Sequence, residues 1–293
     1  MNTTTTIAVK KRYNRVVIRF MKQDKLLVFS AAVVLIIILV GLMAPLIMPH
    51  DPTAVSLNEK VKPLSFQYPF GTDPLGRCVL SRVIQGTRTS LVAAALIVAI
   101  SGTGGVLLGL ISGYKGGNVD SLIMRLVDVM LAFPSIILAM ALIVSMGPGL
   151  GSVIIALTFV HWTGYARLVR AEVLTLKQSE FVEAARAMGN SSIRILFKYI
   201  LPNVIAPVMV MASLDIAQIV LSMAGLSFLG LGAQPPDAEW GAMINQGREF
   251  IRTAPHVTLF PGLALMVTIL AFSLLGDSLR DYFDPRLRER YIE

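Results

Sequence analysis

The chain has 293 residues, of which 55% are hydrophobic and only 15% carry a charge. This composition lies well outside that of soluble globular domains and indicates a membrane protein. The apolar residues fall into separate runs of about 20 residues, the length of a membrane-spanning helix, and not into the ten-residue alternating segments of an outer-membrane barrel. We therefore predict an all-α integral membrane protein.

The net charge of +8 does not indicate a nucleic-acid partner. The basic residues are spread over the segments between the apolar runs and are not interleaved with exposed aromatic residues, so membrane topology explains them better. The single cysteine, Cys78, cannot form a disulfide bond within the chain.

A basic segment, residues 1–25, precedes the first apolar run at 26–48. Its seven basic residues are Lys10, Lys11, Arg12, Arg15, Arg19, Lys22 and Lys25. The apolar run is too long for the core of a signal peptide and lacks a small-residue cleavage site. We therefore predict a retained first transmembrane helix.

Further apolar runs follow along the chain, each bounded by glycine, proline or charged residues. They lie at residues 90–112, 121–145, 150–168, 204–226 and 257–277. Together with the first run, they predict about six transmembrane helices.

The distribution of Lys and Arg predicts the topology of these helices. Most of the 26 basic residues lie in the two termini and in loops on one side of the predicted membrane. The positive-inside rule therefore places the tails 1–25 and 281–293 in the cytoplasm. The core at 90–280 then carries a cytoplasmic loop at 172–203, and the segments 49–89 and 227–256 are external, where we expect lids or short re-entrant helices.

The predicted cytoplasmic loop has a regular pattern and should form two short helices. In the first, apolar and small residues recur at helical spacing: Phe181, Ala184, Ala185 and Met188. Gly189 suits a left-handed C-terminal end of this helix. Ser191 or Ser192 can cap the second helix, which is expected to end at Pro202.

The composition of the first short helix suits a contact with a partner. Small side chains at Ala184 and Ala185 allow a helix to enter a groove, and Glu183 and Arg186 can pair with charges at its rim. An amphipathic helix that only lies on the membrane surface is the alternative interpretation.

The sequence EAARAMGNSSIRILFKYILP, from Glu183 to Pro202, resembles the EAA motif of bacterial ABC import permeases. Tyr199 departs from the motif, which usually has an aliphatic residue at this position. The resemblance implies that the loop docks an ATPase. The residues that it assigns to docking are Glu183, Ala184, Ala185, Arg186, Ala187 and Gly189.

The resemblance covers nearly the whole chain and points to the C-type subunit of the dipeptide, oligopeptide and nickel branch of that family. FGTDPLGRCVLSR, at 70–82, is similar to a family element, with Cys78 where an acidic residue is usual. The segments 227–232, 238–245 and 275–287 are similar to the family's external loop and C-terminal ending. A type I ABC importer permease fold is the implied architecture.

The resemblance also implies partners in the bacterial inner membrane and around it. They are a second, B-type permease in a heterodimer, two cytoplasmic ATPase subunits and an external substrate-binding protein. This chain has no G-x-x-x-x-G-K-S/T phosphate loop, so we expect ATP and Mg²⁺ in the ATPase subunits and no cofactor in this chain. The chain is expected to be a transport subunit and not an enzyme.

Ionisable residues within the predicted helices are candidates for the substrate pathway, because a charge in the membrane interior usually faces a partner, a cavity or water. These are Asp128, His161 and Asp215. For Asp128 the alternative is an ion pair with Arg125 or with a basic residue of another helix. For His161 the alternative is a hydrogen bond between helices.

The sequence around His161 and the segment 214–216 look more like nickel-type than peptide-type C subunits. They favour nickel or a nickel chelate as the substrate, with import of dipeptides or oligopeptides as the alternative. A Ni²⁺ site needs several converging donors, and the chain has only three histidines. We therefore predict no metal site in this chain.

Two other classes of membrane protein fit the sequence less well. A gradient-driven secondary transporter would be expected to show an internal repeat, which is not evident. An intramembrane protease would need a catalytic pair, but LLGD at 274–277 lacks the G-x-G-D element and there is no H-E-x-x-H sequence. Neither class explains the patterned loop.

Overall fold

The computed structural model describes residues 25–283. The basic residues that precede Lys25, and the tail from residue 284 to 293, therefore lie outside the described residues. Within the described part the chain is helical, with one isolated β-bridge between Thr72 and Cys78. The prediction of an all-α protein is confirmed.

The helices are described here in chain order. They are α1 (Lys25–Ile47), α2 (Val79–Lys115), α3 (Gly117–Leu131), α4 (Ser135–Met146), α5 (Leu150–Leu176), α6 (Glu180–Ala187), α7 (Ser192–Ile195), α8 (Leu201–Phe228), α9 (Trp240–Gly247) and α10 (His256–Phe283). A π-helical turn, Leu196–Ile200, joins α7 to α8. By length and composition, five of the described helical runs can span a membrane, or six if the bent pair α3 and α4 counts as one span.

The third predicted span, 121–145, is not one straight helix. It is interrupted between Leu131 and Ser135, and α3 and α4 meet at an angle of 87°. Pro134 provides the physical reason, because proline lacks the N–H that a helix requires and disfavours helical conformation in the residue before it.

Two other helices are longer than predicted. α2 begins at Val79 and not near residue 90, so the end of the segment 49–89 forms its first turns. With 37 residues it is about 55 Å long, more than the ~30 Å thickness of the hydrocarbon core. α5 likewise continues to Leu176, beyond the predicted end at residue 168.

The second short helix of the loop does not end at Pro202. Residues 192–228 form one continuous helical run that includes α7, the π-helical turn and α8. The N–H of Leu201 donates to the carbonyl of Leu196, a wider turn than in an α-helix. This wider turn precedes Pro202 and helps the helix accommodate its ring.

Helices α2 and α5 are packed backbone against backbone. Gly105, Gly109 and Gly113 follow one another at four-residue spacing on the face of α2 that meets α5. A Cβ atom at Gly105 would lie 2.4 Å from the carbonyl oxygen of Trp162. One at Gly109 would lie 2.6 Å from the carbonyl oxygen of Ala166. Only glycine permits this approach, as in other close helix pairs of membrane proteins.

The other helices surround this pair. The main apolar core is formed by buried side chains of α2, α4, α5, α8 and α9. A smaller cluster joins α1 to α8 and α10, with Val34, Ala217, Ala271 and Phe272 at its centre. The core therefore depends on the distance between α2 and α5.

Gly109→Val should destabilise the folded chain, because the new side chain would overlap the backbone of α5. Overpacking costs about 1–3 kcal/mol of unfolding free energy, and a helix backbone cannot move aside as a side chain can. Gly104→Val is the matched control on the same helix, since a Cβ at Gly104 meets no atom within 4 Å. Thermal unfolding in detergent measures the difference, and equal unfolding temperatures for the two variants would contradict this packing.

Candidate functional site

The loop at 172–203 is folded onto the paired helices. Val182 and Ala185 of α6 are fully buried in a small apolar cluster with residues of α2, α5 and the start of α8. Its buried members are Leu110, Val169, Val173, Val182, Ala185, Ile195, Ile200 and Val204. The α6 helix is therefore fixed to α2 and α5, although it is only eight residues long.

The C-terminal end of α6 has the geometry predicted from its glycine. Gly189 has a φ angle of +77°, in the left-handed region that favours glycine. Its N–H donates to the carbonyl of Arg186 at 2.9 Å, and the N–H of Asn190 donates to the carbonyl of Ala185 at 3.3 Å. These bonds satisfy carbonyl groups at the end of the helix, and the predicted left-handed stop is confirmed.

Ser191 caps the next helix, α7. Its hydroxyl oxygen accepts a hydrogen bond from the N–H of Arg194 at 3.4 Å. Of the two predicted capping residues, Ser191 and Ser192, the first therefore takes this role.

The residues assigned to docking do not all lie at the surface. Ala185 is fully buried within the chain, so in this conformation it holds α6 in place and cannot contact another subunit. The other five are exposed: Glu183, Ala184, Arg186, Ala187 and Gly189.

The prediction of which face of α6 is buried was wrong for its two large apolar residues. Phe181 and Met188 are 42% and 71% exposed, whereas Val182 is buried. Phe181 lies four residues before Ala185, and Val182 lies three residues before it. Both spacings are helical, so periodicity alone did not determine which side of α6 faces inward. Contact with α2 and α5 determines it.

Large apolar side chains within and beside the motif are therefore exposed. Its large side chains are Phe181, Met188, Ile193 and Phe197. Together with the five exposed motif residues they form what we call the α6 surface. Exposed apolar side chains grouped beside charged ones are typical of a contact with another protein.

At the opposite end of α8, buried charges join the segment 49–89 to the loop 227–256. The Asp73 carboxylate accepts from Nε of Arg77 at 2.6 Å and lies 3.5 Å from Nε of Arg82. Arg77 also donates to Oε1 of Gln246 at 3.0 Å, and Arg82 donates to the carbonyl of Pro52 at 3.1 Å. Buried charges of this kind are stable only when they are paired, so the spacing of the charged residues within 70–82 is explained by their role as a scaffold.

The short helix α9 closes this scaffold. The indole N–H of Trp240 donates to the carbonyl of Val83 at 3.2 Å, and the ring packs over Gly86. Glu239 is buried and caps α9, since its carboxylate accepts from the N–H groups of Gly241 and Ala242 at 3.0 Å. The loop 227–256 therefore forms a folded cap that contains a short helix.

The structure brings together two of the three predicted pathway residues. His161 lies on α5 and Asp215 on α8, with Nδ1 and Oδ2 3.8 Å apart. Both side chains are largely buried, at 14% and 15% exposure. Tyr165, one turn along α5 from His161, is fully buried beside the same carboxylate. Tyr165 was not among the pathway residues predicted from the sequence.

Asp128 lies elsewhere and has a partner of its own. Its carboxylate accepts a hydrogen bond from Nη2 of Arg167 at 2.5 Å. Asp128 therefore forms an ion pair with a basic residue of another helix, which was the alternative to a role in the substrate pathway. Asp120 accepts two bonds from Arg170 at 2.5 and 2.6 Å. The two ion pairs connect α3 to α5.

A polar stripe on α8 extends from Asp215. Gln218 and Ser222 follow at helical spacing and are exposed or partly exposed. Asp215 and Gln218 line a cavity of about 360 Å³ with Ser273 of α10 and apolar side chains of the same two helices. Gln218 and Ser222 were not among the residues predicted from the sequence, although their i+3 and i+7 spacing from Asp215 was a usable signal.

The described residues offer no group of three or more His, Cys, Asp or Glu side chains that could hold a metal ion. His161 and Asp215 supply only two such groups. Nothing in the described part of the chain therefore supports the handling of bare Ni²⁺.

Two families match the sequence. Residues 105–289 match the family described as the binding-protein-dependent transport system inner membrane component. Residues 13–68 match the N-terminal transmembrane domain of oligopeptide transport permease C. The first match covers more than half of the chain, and the second covers the first span and part of the segment that follows it.

Several curated proteins are similar over nearly their whole length. A dipeptide transport system permease, DppC, of Alkalihalophilus pseudofirmus is 40% identical over 92% of this chain and 88% of its own. A probable D,D-dipeptide transport system permease, DdpC, of Escherichia coli is 41% identical over 91% and 89%. A glutathione transport system permease, GsiD, of Pectobacterium atrosepticum is 43% identical over 92% and 90%.

Among solved structures, the inward-facing MetNI methionine ABC transporter has a similar fold. One crystal form gives a TM-score of 0.52 at 20% identity, covering 73% of this chain and 95% of that one. This likeness concerns the fold alone and agrees with the expected importer permease architecture. The chain therefore belongs to the family of binding-protein-dependent inner-membrane transport components, as a C-type permease subunit of the ABC importers.

Proposed function

We propose that this chain forms half of the translocation pathway of an ATP-driven importer of short peptides. The observation that carries the proposal is its similarity, over about nine tenths of its length, to permeases named for dipeptides, D,D-dipeptides and glutathione. The preference for nickel has no support in these names or in the described side chains. Import of dipeptides or oligopeptides, the alternative in the sequence analysis, is better supported.

The proposed complex contains a second, B-type permease, two ATPase subunits and an external substrate-binding protein. ATP and Mg²⁺ would bind to the ATPase subunits. Both termini and the loop at 172–203 would face the cytoplasm, and the scaffold formed by 49–89 and 227–256 would face the binding protein. Membership of the family supports this assembly.

The α6 surface is the proposed ATPase contact. Glu183, Arg186 and Gly189 are exposed on a helix that is anchored to α2 and α5 through Val182 and Ala185. A force on α6 would therefore act on those two helices and would not be lost in a mobile loop.

The pathway is proposed to follow the polar stripe of α8. Asp215 and His161 lie near the middle of their helices, where polar groups usually face a cavity or a partner. Gln218 and Ser222 extend the stripe in one direction. Asp128 is a weaker candidate for the pathway, because its ion pair with Arg167 gives it a structural role.

Peptide uptake by the complete complex tests the proposed function. Proteoliposomes that contain both permeases and both ATPases, with the binding protein on the opposite face, should accumulate a radiolabelled dipeptide only when ATP is supplied. Accumulation driven by an ion gradient without ATP would indicate a secondary transporter. Uptake of nickel but not of peptide would restore the nickel interpretation.

Glu183→Arg should uncouple ATP hydrolysis from uptake, because it places a positive charge on the exposed face of α6 where the resemblance requires an acid. We expect binding-protein stimulation of ATPase activity and peptide uptake to fall at least tenfold, while the amount of folded chain in the membrane is unchanged. Glu183→Gln, which keeps the shape and removes only the charge, is the control and should cause a smaller loss. Undiminished uptake by Glu183→Arg would show that α6 does not dock the ATPase.

A further inference from the structure

The carboxylate of Asp215 has no complete partner within the described chain. Its Oδ2 atom is buried and makes no hydrogen bond to any described group. The nearest ring nitrogen, Nδ1 of His161, is 3.8 Å away, which is too far for a hydrogen bond. A carboxylate is costly to bury in this way unless another group completes its environment.

The basic side chains of α5 that could neutralise Asp215 are engaged elsewhere. Arg167 pairs with Asp128 and Arg170 pairs with Asp120, both on α3. Within residues 25–283, the ion pair recorded for Asp215 is the long contact with His161. The surroundings of Asp215 therefore favour an additional cation.

Further polar groups lie near the same carboxylate. The hydroxyl of Tyr165 is buried beside Asp215 on the α5 side and is oriented as a donor to the carboxylate, so it adds no positive charge. On the other side, Gln218 and Ser273 line the cavity that Asp215 borders. A carboxylate, an amide oxygen and hydroxyl oxygens can all accept hydrogen bonds.

The cavity has the size and position for part of a small ligand. Its volume of about 360 Å³ falls within the usual range for small-molecule sites. Gln218 and Leu221 are exposed, so no described part of the chain covers the open side of the cavity. Apart from Asp215 and these polar residues its walls are apolar, formed by Leu214, Ala217, Leu221 and Ile269.

We propose that this cavity binds the α-ammonium group of a peptide in transit, with Asp215 as the counter-charge. An ammonium group has three N–H donors, and Asp215, Gln218 and Ser273 of the cavity wall supply a carboxylate, an amide oxygen and a hydroxyl oxygen as acceptors. A divalent metal fits less well, because the described chain places only two of its usual ligands there. The inference rests on the proposed function and adds which part of the substrate this chain contacts.

Ligand binding to the complex without its binding protein tests the inference. Saturation-transfer NMR would compare alanyl-alanine, its N-acetyl derivative and its C-terminal amide, each at millimolar concentration, on the permease–ATPase complex in nanodiscs. Alanyl-alanine and the amide keep the ammonium group and should bind about 10- to 100-fold more tightly than the N-acetyl derivative, the range expected for hydrogen bonds to a charged group.

Asp215→Asn should remove this preference for a free ammonium group. Alanyl-alanine and its C-terminal amide should then bind only as tightly as the N-acetyl derivative. Asp277→Asn is the matched control, an exposed aspartate on α10, and should leave the preference unchanged. Equal binding of the three ligands to the unsubstituted complex, including no binding of any, overturns the inference, as does a preference that survives Asp215→Asn.

Peptide uptake separates this inference from the proposed function. If the unsubstituted complex accumulates peptide with ATP but shows no preference for a free ammonium group, only the present inference fails. If it hydrolyses ATP and accumulates no peptide, the proposed function fails, and the ammonium site fails with it.

Discussion

The close contact between the backbones of α2 and α5 holds the other elements of the fold in place. Gly105, Gly109 and Gly113 remove the side chains that would separate the two helices, so three turns of α2 lie directly on α5. We expect such a pair to move as one body, because its surfaces interdigitate without room to slide. The α6 surface is anchored to one end of this body through Val182 and Ala185.

The same body carries one wall of the proposed pathway. His161 and Tyr165 project from α5 toward Asp215 on α8, while α8 itself joins the loop at 172–203 to the cap at 227–256. In the proposed function, a displacement of α6 by an ATPase would act on α5 and on the start of α8, because both pack against α6. The proposed docking surface and the proposed substrate path are therefore connected by packed helices.

Local features of this fold could be predicted from the sequence, whereas contacts between distant residues could not. Hydrophobic runs predicted the spans, and Gly189 predicted the left-handed end of α6, because both depend on neighbouring residues. Pro134 and the glycine repeat of α2 were readable signals for the bend and for close packing. The buried face of α6 and the meeting of His161 with Asp215 depend on tertiary packing, which periodicity does not specify.

The proposed pathway requires that the polar stripe of α8 faces water and that its accessibility changes with the state of the ATPase. Gln218→Cys reports on this directly, since Cys78 is buried and contributes little background labelling. In the reconstituted complex, a water-soluble maleimide should label this cysteine, and trapping the ATPases with ATP and vanadate should change the labelling rate severalfold. Labelling only by lipid-soluble reagents, at the same rate in both states, would contradict the proposed pathway.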